Sequence, residues 1–266
     1  MRVELRATYE AEPDKYFWLR DPPDGGEVDD LRRQVASVFA GLPPRAFMML
    51  DSAVAGEREG AAAVLEAIPA LPEEIAGIPV RQALADLANA LAAAPLPPRE
   101  RSSWVGGALS SLDMARVEEA ISWVADVLGF EFAADTSLTI ETYVVASGVP
   151  LGGLTGFRID DSPVCFVSVR GQEGSTFAEA VIHEATHVLD MKCHADTSLV
   201  ARLRNAAGSS HQLWHAPYFI AAAEATRRFV DPAHVDFGDT HGYYAKVPDE
   251  LARLEQEGIV AAVRSG

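Results

Sequence analysis

Two histidines four residues apart, with a glutamate beside the first, stand in AVIHEATHVLD, residues 180–190. On a helix, His183 and His187 share one face about one turn apart, so both imidazoles can hold one metal ion. Glu184 projects about 100° around the axis from His183. Its carboxylate can therefore reach water activated by that ion. This is the chemistry of H-E-x-x-H: two neutral imidazole ligands and a carboxylate general base. The competing reading is an ordinary helix with a satisfied pair of core histidines. Ala180, Val181, Ile182, Ala185, Val188 and Leu189 surround the motif with apolar side chains. Buried polar groups without partners are costly, and that cost favours the metal.

A catalytic zinc takes three protein ligands and leaves one position open for water. Downstream, His215, Glu224 and Cys193 are the candidates for the third. His215 lies in SSHQLWHAPYFIAAAEATRRFV (209–230), 28 residues past His187, which leaves room for a helix-loop-helix return. Pro217 suits the start of a helix, so His215 is expected at or before its first turn. Phe219 and Ala223 follow at spacings of four and point inward with it. Glu224 sits in AAAEATRR, where Arg227 and Arg228 can pair with it instead. His215 and Glu224 are separated by about 180° around a helix and do not suit one ion. Cys193 also reads as a small buried residue. His194 is one residue out of register with it. His211 reads most simply as a polar residue at a helix start, with a ligand role as the lesser alternative.

HEATH (183–187) resembles the active helix of the HExxH zinc metallopeptidases, the zincins. HAPYF (215–219) resembles the second ligand segment of SprT-like and related minimal zincins, in which a histidine precedes a phenylalanine by four. The likeness covers the motif helix and extends over residues 135–230, not the first 130. It implies zinc as cofactor, held by His183, His187 and His215. Glu184 is then the general base of a hydrolase, most naturally a metallopeptidase acting on a peptide or protein substrate. The glycine and last histidine of the longer HExxHxxGxxH pattern are replaced here by Asp190 and Cys193. A reading of another class keeps the metal but makes the chain a regulatory or partner-binding domain without peptidase activity.

Supporting residues are sought nearby. A ligating histidine normally gives its other ring N–H to a carboxylate or carbonyl, and Asp190, three after His187, is a candidate. Amide hydrolysis needs a donor for the developing oxyanion. DTHGYYAKVP (239–248) offers His241, Tyr243 and Tyr244. Tyr244 is the catalytic candidate among them; packing of both tyrosines against the core is the competing reading.

These residues need elements to position them. SLTIETYVV (137–145) alternates and is rich in β-branched residues, which predicts a strand. FRIDD (157–161) and VCFVSVR (164–170) predict two more, after a glycine-rich turn at GVPLGGLTG. GQEGS breaks the chain, and Ser175 or Thr176 is expected to cap the motif helix, which runs to about Asp190. Upstream, residues 28–40, 61–68, 80–94 and 114–128 read as helices, the first stopped by GLPP at 41–44 and the last by Gly129. Residues 21–27 read as a loop, and APLPPRERSS (94–103) as a linker or exposed loop. The expectation is an α+β fold. A mainly helical region over 1–130 precedes a zincin-like domain over 131–266 with a small, mostly antiparallel sheet.

The composition narrows the partners. The chain has 266 residues and a formal net charge of −17. So acidic a surface repels phosphate backbones, so nucleic acid is not expected as a partner. No apolar run reaches eighteen residues, so no membrane span is expected. The start MRVELRATYEAEPDKYF lacks the features of a signal peptide, and a cytoplasmic protein is expected. Two cysteines, Cys165 and Cys193, do not make a disulfide framework.

Overall fold

The computed structural model describes residues 1–21, 25–26, 28–40, 78–149, 152–158, 162–194, 198–206 and 210–266. The expected helix over 61–68 and the GLPP stop at 41–44 lie outside them, as do parts of the 21–27 loop. The described residues form 11 α-helices and a four-stranded sheet, an α+β fold. No described helix is long and apolar enough to cross a membrane.

Strand β1 (Arg2–Thr8) opens a half that the sequence predicts to be helical. Val3 and Leu5 are buried while Arg2 and Arg6 are exposed, the alternation of a half-buried strand. β2 (Ser137–Val145) matches the expected strand at both ends. β3 (Gly153–Phe157) begins inside the glycine-rich stretch and ends where the FRIDD strand was expected to begin. Residues 159–161 of that segment are outside the described residues. β4 (Pro163–Ser168) falls on the expected VCFVSVR strand.

The strand order is β1-β2-β4-β3. β3 and β4 pair antiparallel from Gly153↔Val167 to Phe157↔Pro163. β2 and β4 pair parallel from Thr142↔Cys165 to Val145↔Ser168. The sheet is thus mixed. The chain lays β3 at the edge and returns through β4 between β3 and β2. Pairing with β4 makes GLTGF a strand although its glycines argue against one.

The fold divides into two compact units, each assembled from separated stretches. One comprises residues 7–109 and 141–171, the other residues 1–6, 110–140 and 172–266. A division near residue 130 falls inside the second of these.

The first unit holds α1 (Ala11–Arg20), α2 (Asp29–Ala40), α3 (Ile78–Ala93) and α4 (Arg99–Ser111). α4 takes up half of the expected APLPPRERSS linker. Tyr16, Phe17, Leu19, Val35, Leu87, Leu91, Tyr143 and Phe166 form its core. Asp14 is fully buried there. Its carboxylate accepts from the backbone N–H groups of Ala146 and Ser147 at 3.0 Å each and pairs with Arg101 at 3.2 Å. A buried carboxylate persists only with such partners.

The second unit is helical. α5 (Met114–Leu128) is capped by Asp113, whose side chain accepts from the Arg116 N–H, and ends at Gly129 in the left-handed region, φ 70°. Val117, Ala120, Ile121, Val124 and Leu128 make one buried stripe. That stripe packs on α6 (Ser175–Lys192) and, past α7 (Leu199–Asn205), on α8 (His211–Ala225). Ala216, Ala221, Ala222, Ala223 and Ala225 are fully buried, and such small side chains allow α8 to approach its neighbours closely. A π-helical turn (Thr226–Val230), α9 (Phe237–Thr240), a 3₁₀ turn (Tyr244–Lys246), α10 (Pro248–Gln256) and α11 (Ile259–Ser265) complete the unit.

Candidate metal centre

α6 carries the HEATH motif through the middle of the second unit. Its N-cap is Gly174 at φ 54°, with no side-chain cap. Ser175 is not the cap but the first helical residue, and its Oγ lies 3.0 Å from Nδ1 of His234. The helix then runs to Lys192, two residues beyond expectation. Phe177, Val181, Ile182, Ala185 and Leu189 are fully buried. His183 and Glu184 are each only 6% exposed. His187 is half-buried.

α8 starts earlier than Pro217 suggests. Ser210 caps it, with Oγ accepting from the Leu213 N–H at 3.1 Å. Pro217 lies inside the helix, where its missing N–H leaves the Leu213 carbonyl without a helical partner. His215 is therefore one full turn into the helix. It is 8% exposed and shares its face with Phe219 and Ala223, both buried as expected.

The two helices bring three imidazoles together. One ligand atom from each of His183, His187 and His215 lies within 4.8 Å of the others. The Nε2 atoms of His187 and His215 are 3.1 Å apart. A tetrahedral ion with nitrogen ligands at about 2.0–2.1 Å separates them by about 3.3 Å. Nδ1 of His183 is buried without a hydrogen-bond partner among the described residues. Three imidazoles converging on one point in a largely buried site fit a metal better than a packed core. Three neutral nitrogens suit a borderline divalent ion. These residues are close enough to bind a metal ion.

Aromatic rings wall the cluster. Phe219 lies 4.0 Å from the His183 ring, and Tyr218 meets the His187 ring edge-on at 4.8 Å. Burial, more than any neighbour, depresses the imidazoles. It pushes His187 and His215 down to about 3 and His183 well below its usual value. The neighbouring imidazoles add to the effect on His183 and His215. At neutral pH all three are uncharged, so a metal displaces no proton from them.

These shifts predict an acid sensitivity of the metal-free protein. Between about pH 3 and pH 6.5 the unfolded chain binds protons that the folded histidines refuse. Stability therefore rises with pH across that window and is lost as pH falls through it. Glu179 and Asp236, both raised by burial, act with the opposite sign: their contribution is present at low pH and lost as pH rises. The imidazoles dominate between pH 6.5 and 5, where the unfolded histidines take up their protons. Urea unfolding of the metal-free protein should show a clear fall in midpoint from pH 6.5 to pH 5. A flat profile would contradict the buried neutral state.

The other sequence candidates are placed elsewhere. Glu224 pairs with Arg227 at 3.2 Å and Arg228 at 2.9 Å. Cys193 ends α6 and stands outside the histidine cluster. His194 donates its backbone N–H to Glu131. Asp190 pairs with Arg204 at 2.5 Å rather than with His187. The Tyr244 hydroxyl donates to Asp236 at 3.0 Å, and burial first, Asp236 second, keep it protonated. It is Tyr243 whose ring reaches the site, 6.2 Å from His215 and 4.2 Å from Phe219. Its hydroxyl is buried without a partner among the described residues. His241 stacks on Phe237 at 3.9 Å.

Two features had no linear signal. Arg204 stacks on Trp214 at 4.6 Å beside the histidines. His234 gives Nε2 to Glu179 at 2.7 Å, and Glu179 also accepts the Phe237 N–H at 2.8 Å. This buried pair ties the segment leading to Tyr243 onto α6. Glu179 and His234 are 55 residues apart, so no local pattern joins them. No known protein family, curated protein or solved structure matches the chain.

Proposed function

We propose that this chain is a zinc-dependent hydrolase, a metallopeptidase acting on peptide or protein substrates. The observation that carries the reading is the convergence of His183, His187 and His215 from two helices beside the buried carboxylate-bearing residue Glu184. A bound zinc ion would polarise a substrate carbonyl and make water acidic enough to attack it at neutral pH. His183, His187 and His215 would hold it, leaving the fourth position open.

The chain's own residues do the rest. Glu184 takes the proton of the attacking water and returns it to the leaving amine. The packed rings of Phe219 and Tyr218 exclude bulk water, which strengthens each charge interaction inside. The Tyr243 hydroxyl, buried without a partner among the described residues on a ring 6.2 Å from that of His215, donates to the oxyanion that develops on the carbonyl. Tyr244 instead holds its loop through Asp236.

Tyr243→Phe should lower kcat about 100-fold with metal content unchanged, whereas Tyr244→Phe should cost activity only through stability. Equal losses, tracking stability in both variants, would remove Tyr243 from this role. The reading as a whole is tested by elemental analysis of the purified protein, followed by cleavage of a peptide library with and without a chelator. Zinc at one per chain and chelator-sensitive cleavage are expected. Bound zinc with no cleavage of any peptide would make the chain a metal-binding module instead. The absence of any transition ion, before and after adding zinc, would end both readings.

A further inference from the structure

A fourth imidazole stands next to the three. His211 and His215 are four apart on α8, as His183 and His187 are on α6. The His211 ring lies 4.9 Å from the His215 ring. The same distance separates His187 from His215, and 5.0 Å separates His183 from His187. His211 thus continues the cluster at its own spacing.

It differs from the others in position. His211 is the first residue of α8 and is exposed, whereas His183 and His215 are buried. Its ring nitrogens are not among the converging ligand atoms. Trp214 meets its ring edge-on at 4.5 Å and keeps it against the His215 side of the helix.

We infer that His211 is the receiving ligand of this centre: its imidazole takes the ion from solvent and hands it to His215, His187 and His183. The inference rests on the metal-centre reading above. A hydrated divalent ion cannot reach the nitrogens of the buried His183 and His215 in one step, because each inner water must be exchanged for a nitrogen. An exposed imidazole one ring spacing away lets the first exchange occur in water. Each later exchange then swaps one imidazole for another of the same kind. His211 releases the ion at the end, which keeps the fourth position open. Run backwards, the same route lets the ion out.

The test uses the full chain stripped of metal and cobalt(II) as the probe, whose visible absorption reports the ligand set. Cobalt should bind the wild-type chain at one per chain. His211→Ala should show the same absorption and stoichiometry, with cobalt uptake slowed about tenfold or more. Release into excess chelator should slow by a similar factor, so affinity hardly moves. Gln212→Ala, exposed on the same turn, should leave both rates unchanged. Unchanged rates in His211→Ala would overturn the inference. A changed absorption would overturn it too, by making His211 a resident fourth ligand. A wild-type chain that binds neither cobalt nor zinc would fail at the metal centre itself.

Discussion

Glu184→Gln is expected to keep its metal and lose its turnover. The side chain is nearly isosteric, so the packing of α6 around a residue only 6% exposed is preserved. The amide cannot accept a proton from water, and general-base catalysis contributes about 10²–10⁴ in rate. A fall in kcat of about 10³ is expected, with zinc still at one per chain. The pairing of the two readouts matters. Loss of both metal and activity would point to a damaged helix, and full activity would remove Glu184 from the chemistry.

His215→Ala is expected to lose the metal. His183 and His187 come from one helix, but His215 is supplied by α8 and closes the set. Two imidazoles alone are a weak site, and removing one of three ligands should lower affinity by at least about 100-fold. Glu224→Ala should retain the metal, because its carboxylate is spent on Arg227 and Arg228. Cys193→Ala should retain it as well. Isothermal titration of zinc into the stripped proteins separates these outcomes. Unimpaired zinc binding by His215→Ala, or its loss in Glu224→Ala, would exchange the two assignments. Zinc binding also stabilises the folded state, by an amount that grows with the logarithm of its affinity, so only His215→Ala should lose the rise in Tm on adding zinc.

Much of the candidate site was legible because it is local. The spacing of His183, Glu184 and His187 needs only a helix, and the apolar residues around them supply one. β2 and α5 were equally legible, the first from alternation and the second from a 3.6-residue stripe ended by Gly129. β1 alternates too, but its outward positions are charged, and only its place at the end of the sheet order makes it a strand. Pro217 pointed to a helix start, yet Ser210 offers a side-chain cap and packing against α5 and α6 sustains the turn before the proline.

The amino-acid order by itself determined which residue types could hold an ion, on which helix, and which carboxylate stood beside them. It left the third ligand open among His215, Glu224 and Cys193, and it favoured Tyr244 over Tyr243. Only the packing of α8 on α6 decided that His215 completes the trio and that Glu224 answers to two arginines. The same packing left the Tyr243 ring beside His215 while Asp236 holds the Tyr244 hydroxyl. The reason is physical. Spacing along a helix fixes direction within that helix, but a ligand set drawn from two helices depends on their relative rotation and distance, which the buried side chains between them set together.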